Sequence, residues 1–243
     1  MKILHRLTMP ARALFAAMLL MGAASAGADA TWPAQSPDGL TLRKTLEHGA
    51  VYIKQGVDLS QYKSIGLLEC YVQFAKDWVI DYNENEPDLT LQISPDDEKR
   101  IASWLSAEFN KDFVEELSKN NDFQIVTQQG PGVLMLRPAL INVMITAPDL
   151  NSPTPSAEIV TSAGQMTLYL ELWDGGSSTL IARVIDGEAD PGMGGMGEQA
   201  NSVTNKAAAD EMLKSWADRL RKGLDAIRAA GAQPAAGTPP ATN

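Results

Sequence analysis

Two segments of alternating character, Gln165 to Trp173 and Thr179 to Asp186, flank Asp174-Gly175-Gly176-Ser177-Ser178. Glycines and small polar residues between two strand-like runs signal a hairpin, because they accept the tight backbone that a chain reversal needs. An antiparallel pair therefore anchors the C-terminal half. Ser64 to Phe74 alternates as clearly, with Leu68, Cys70, Val72 and Phe74 on one side and Glu69, Tyr71 and Gln73 on the other. A period of two marks a half-buried strand. It places Cys70 on the apolar side, as a buried and unreactive thiol.

Further strands are expected at Val51-Tyr52-Ile53, at Phe123 to Val126 and at Val133 to Ile145, the last after a Gly130-Pro131-Gly132 turn. In the long segment Val133, Met135, Ala139, Ile141, Val143 and Ile145 share a face that Arg137 interrupts, and Pro138 predicts a bulge or an edge position. Asp58 to Tyr62 reads as a turn or one helical turn.

Two helices stand out. Ser94 is an N-cap, Pro95 occupies the first helical position, and Asp96, Asp97 and Glu98 follow in the first turn. These residues complement the unpaired N–H groups and positive end of a helix, and Ser94 with Asp97 approximates a capping box. Ile101, Trp104, Leu105, Phe109, Phe113 and Leu117 form the apolar stripe, with Asn120-Asn121-Asp122 as the stop. A last helix is expected from about Asn201 to Ala229, with Leu213, Trp216, Leu220, Leu224 and Ile227 on one side. No internal repeat is visible. The order of elements predicts an α+β fold: a single domain with a mostly antiparallel sheet and two long amphipathic helices packed on one face.

The N-terminus reads as an export signal occupying residues 1–30. Lys2, Arg6 and Arg12 precede an uncharged apolar run from Ala13 to Ala24. Two frames suit cleavage, after Ala26 or after Ala30. The run is shorter than the about 20 apolar residues a spanning helix needs, and no transmembrane helix is expected after cleavage. Residues 31–46 read as an irregular lead-in with Pro33, Pro37 and Gly39, residues 47–229 as the domain, and residues 230–243 as a disordered Ala/Pro-rich tail.

The whole chain carries a formal charge of −10, and loss of the basic signal would leave the remainder more acidic still. Such a chain is a poor partner for nucleic acid or anionic lipid. Its one cysteine cannot form an internal disulfide, so stability must come from burial.

Motifs with chemical spacing fail on inspection. Asp81-x-Asn83-x-Asn85 opens like a calcium loop, but Glu86 and Gln92 stand where glycine and a bidentate glutamate are needed, so the acidic stretch from Asp81 to Leu89 is expected to be a solvated loop. Gly192-x-Gly194-x-x-Gly197 spells the dinucleotide fingerprint, yet no strand follows the helix after it, so a connector is expected. Only His48 remains beyond the signal, which leaves Ser–His or Cys–His catalysis without support. Glu69, Asp149, Glu171, Asp186 and Glu188 could serve acid–base chemistry only if two of them converge. Arg137 and Arg183, both inside strands, are expected to pair with a cross-strand acid such as Glu171 rather than hold an anion.

Four segments taken together resemble the bacterial domain-of-unknown-function family 3313: Val51 to Tyr62, Val133 to Ala139, Ala163 to Asp174 and Trp216 to Arg221. The likeness runs from about Gly39 to Ala229. It implies an exported envelope protein without established activity, often lipid-anchored in relatives. This chain has no cysteine after its apolar run to carry such an anchor.

The resulting expectation is a soluble periplasmic protein that binds an envelope protein partner or joins an assembly. No catalytic residue, cofactor or metal ligand is assigned, and the oligomeric state is left open. The alternatives are a small-ligand or anion-binding domain and a carboxylate-dependent hydrolase.

Overall fold

A computed structural model describes residues 32–119, 123–146, 148, 150, 158–160, 164–189, 198–200 and 202–231. The export signal, the helix stop at 120–122, Asp149, the Gly192/Gly194/Gly197 connector and the tail beyond Gly231 lie outside them.

The elements in chain order are β1 (Thr41–Leu46), β2 (Gly49–Ile53), a 3-10 turn (Leu59–Gln61), β3 (Ser64–Leu67), β4 (Tyr71–Phe74) and α1 (Trp78–Asn85). They continue with α2 (Pro95–Leu117), β5 (Gln124–Val126), β6 (Val133–Ile145), β7 (Glu158–Val160), β8 (Gly164–Asp174), β9 (Leu180–Ala189), β10 (Glu198–Ala200) and α3 (Ser202–Gly231). The main sheet runs β1-β2-β9-β8-β6-β3-β5, with β4 also on β6, while β7 and β10 form a separate pair. Pairing is antiparallel from β1 to β6 and parallel among β6, β3, β4 and β5. This is the expected α+β domain, and it forms one compact unit from Pro33 onward.

The core lies between the sheet and the two long helices. Leu168, Leu170 and Leu172 of β8 and Leu134, Leu136 and Leu140 of β6 meet Ile101, Leu105, Phe109, Phe113 and Leu117 of α2, with Leu213, Trp216 and Leu224 of α3. Phe109 and Phe113 are fully enclosed and stack at 3.8 Å. Burying each stabilises the fold by about 1.5–3 kcal/mol. The Ser94–Asp97 capping box forms as the sequence predicts.

Four expectations need correction. The lead-in is irregular only as far as Leu40: Thr41–Leu46 is an edge strand hydrogen-bonded to β2. The acidic stretch from Asp81 is the end of α1 as far as Asn85, because Trp78 anchors that helix by burying its ring and donating Nε1–H to Ile145 O at 3.1 Å.

The single strand Ser64 to Phe74 is two strands. β3 pairs with β6 up to Leu67↔Leu136 and β4 resumes at Tyr71↔Ala139, so three residues face two, Arg137 and Pro138. Pro138 has no N–H to offer, and the pairing lapses beside it. The extra residue reverses the parity, turning Ile65 and Leu67 inward before the break and Cys70, Val72 and Phe74 after it; Leu68 is left exposed. Pro138 thus marks an irregularity in a central strand, not an edge.

In β6 the inward residues begin as Leu134, Leu136 and Leu140, not the Val133 set. At Asn142 the backbone takes φ +52°, the register with β8 shifts, and Val143 turns into the core. Asparagine tolerates this left-handed conformation better than most residues, its short polar side chain bonding locally.

Candidate functional site

On the face of the sheet away from α2 and α3, Glu171 gathers donors. Tyr169 Oη and Trp173 Nε1 donate to its two oxygens at 3.3 and 3.2 Å, and Arg183 Nη2 donates at 2.9 Å. Arg137 Nη1 stands 3.7 Å away. Arg183 also pairs with Asp38 of the lead-in, which is further tied down by Tyr52 Oη donating to Pro33 O at 3.0 Å. Burial opposes ionisation of Asp38, but bonds from Arg183 and Ser36 outweigh it and hold its carboxyl below the usual range. Burial and Glu171 push the Tyr169 phenol up. Arg137 and Arg183 therefore do what the sequence suggests: they neutralise Glu171.

Of the other nominated carboxylates, Asp186 and Glu188 come together on Arg219, on the opposite face of the sheet from Glu171. Asp186 and Glu188 face α3, where Arg219 bonds Glu188 and lies 3.3 Å from Asp186, and Trp216 Nε1 donates to Asp186 at 3.1 Å. Burial raises both pKa values. Glu69 sits in the break between β3 and β4. His48 lies in the β1–β2 turn and faces Glu47 at 3.7 Å, both largely exposed. Asn83 of the calcium-like motif clamps Ile93 through its side-chain amide, and Asn85 donates to Asp81 O, so both serve local folding.

An open groove lies elsewhere. β4 has β6 as its one strand neighbour among the described residues. Beyond its other edge a groove of about 540 Å³ runs between β4, α1 and the first turns of α2. Tyr71 and Ile80 present apolar surface there, at 46 and 58% exposure, above Val72, Phe74 and Val79. Lys76 and Lys99 stand with Asp77 and Glu98 along the groove. The walls are built firmly: Phe74 and Trp78 stack at 4.7 Å, and Ser106 Oγ donates to Cys70 O at 2.8 Å, fixing α2 to the start of β4. Sequence reading missed this groove because it takes Ser64 to Phe74 as one strand and leaves α1 unrecognised.

Residues 34–220 match the family described as Protein of unknown function (DUF3313). The chain belongs to that family. The DUF3313 match spans the whole sheet with most of α3, and thus both the groove and the Glu171 cluster. A comparison with curated proteins finds no match. Among solved structures, the DUF3313 chain is similar to two crystal forms of the PelC dodecamer from Paraburkholderia phytofirmans, the first of a point variant. The first is 8% identical with a TM-score of 0.36, covering 72% of this chain and 97% of that one. The second is 10% identical with a TM-score of 0.35, covering 71 and 97%. At these scores the likeness carries no argument about activity or assembly. No helix among the described residues is long and apolar enough to cross a membrane.

Proposed function

We propose that this DUF3313 protein is an exported, periplasmic, non-enzymatic domain that captures an extended apolar segment of a partner protein along the open edge of β4. The observation that carries the reading is that, among the described residues, β4 pairs with β6 alone, beside a groove flanked by Tyr71 and Ile80. An open strand edge offers a row of backbone groups to an incoming strand, and neighbouring apolar surface selects its side chains. The mixed charges of Lys76, Asp77, Glu98 and Lys99 suit a polypeptide better than a strongly charged ligand. Export is supported by the basic, apolar and small-residue zones of residues 1–30. The non-enzymatic reading is supported by the structural pairing of Glu171, Asp186 and Glu188.

Two experiments test the two halves. Co-purification from envelope extract under mild crosslinking is expected to recover one partner with the parent chain and to lose it with Ile80→Asp, whose thermal midpoint stays unchanged. Equal recovery with both proteins would place binding elsewhere. N-terminal sequencing of the exported chain is expected to begin at Gly27 or Thr31, whereas an intact Met1 would refute cleavage.

A further inference from the structure

Three carboxylates converge where α2 packs on α3. Glu108 and Asp112 lie one helical turn apart on α2, Asp210 faces them from α3, and one oxygen of each lies within 4.8 Å of the other two. Asp112 is the anomaly. Its side chain is fully enclosed, and among the described residues no N–H or O–H donor reaches either carboxylate oxygen, so Asp210 can be bonded only through a shared proton. The nearest cation, Lys111 Nζ, is 3.8 Å from Oδ1, beyond hydrogen-bonding reach. Lys111 bonds Glu108 at 2.5 Å, and Lys214 bonds Asp210 at 2.7 Å. A carboxylate enclosed between two others and given no donor is strongly destabilising unless something completes it.

We propose that Glu108, Asp112 and Asp210 bind a divalent cation, calcium above all, that staples α2 to α3. The donor set is all oxygen, which selects hard cations over zinc or copper. Oxygens no more than 4.8 Å apart can surround one calcium ion at calcium–oxygen distances of about 2.4 Å. Magnesium binds at about 2.1 Å, demands near-ideal octahedral geometry and gives up its water reluctantly, which favours calcium here. Three carboxylates leave the remaining coordination positions to water. Lys111 and Lys214 act as internal counter-ions while the cation is absent. At 57 and 47% exposure their ammonium groups can swing into solvent when it enters.

The test is calorimetric titration of the full chain, stripped with chelator, with calcium chloride to about 10 mM at pH 7.5; that limit is tenfold above the weakest affinities of extracellular calcium modules. One site is expected, tighter for calcium than for magnesium, with a thermal midpoint several degrees higher when filled. Asp112→Asn, which keeps the side-chain shape, is expected to fold and lose the response. The Lys111→Ala, Lys214→Ala double variant removes the competing charges without touching a ligand, and is expected to bind calcium about tenfold more tightly. No heat and no midpoint shift at the highest calcium would overturn the proposal and leave a proton shared by Asp112 and Asp210 as what completes the cluster. So would a calcium response retained in Asp112→Asn, or one unchanged by removal of the two lysines.

Discussion

Glu171 and Arg183 stand directly opposite each other in the β8–β9 ladder, and their side chains meet at 2.9 Å with each only 12% exposed. A pair this enclosed is held by geometry, and removing one member leaves the other charge without its partner. Glu171→Ala should cost about 3 kcal/mol in urea denaturation, because Arg183 loses an acceptor while Tyr169 and Trp173 lose theirs. Asp38→Ala should cost about 1 kcal/mol or less, its side chain being more exposed. Equal losses would show that the lead-in, not the strand pair, anchors Arg183.

The capping box gives a second check. Ser94 accepts from Asp97 N while Asp97 receives Ser94 N–H. Ser94→Ala should destabilise the protein by about 1 kcal/mol, read from the denaturation midpoint at constant slope. No change would mean that the first turn of α2 is held by packing alone.

The contrast between α2 and the Ser64 to Phe74 segment explains how far the sequence is legible. Local chemistry decides the start of α2: Ser94, Pro95 and Asp97 act on neighbours three residues away, so the pattern can be read directly. The hairpin around Gly175 and Gly176 is local in the same sense. The break at 68–70 is decided by Pro138, some seventy residues downstream, and no window around Leu68 contains it. The Arg183–Glu171 pair was accessible because hairpin register places the two opposite one another. Asp112 and Asp210 meet only through the docking of two helices, which no spacing rule reveals. The groove beside β4 has the same origin, arising where one strand ends against another's irregularity.

Cys70 offers a kinetic prediction. Its thiol is 4% exposed, and burial pushes it up to about 12. In native buffer at pH 8 it should resist a thiol-reactive dye, and labelling should proceed at the rate of unfolding when urea is added. Rapid labelling of the native protein would mean that the β3–β4 break opens readily.

Acidity should act on Asp112 against the usual direction. Its folded-state value, about 6, lies above the ordinary 3.8, so its ionisation opposes folding most fully above pH 6 and ceases to do so below about pH 4. Asp38 and Asp97 are shifted downward, and their contributions are present above about pH 4 and lost below it. In chelator, Asp112→Asn should therefore stabilise the protein at pH 7.5, with the gain shrinking towards pH 5. A gain independent of pH would trace to packing rather than charge.

Partner capture at β4 is tested most directly by placing a photoreactive amino acid at position 80 in cells, with the same group at the exposed Lys222 of α3 as control. Docking along β4 requires a single discrete adduct at position 80, its crosslinked peptide an extended apolar segment of one envelope protein, and none at position 222. Absence of an adduct at position 80, or equal yields at both positions, would contradict it.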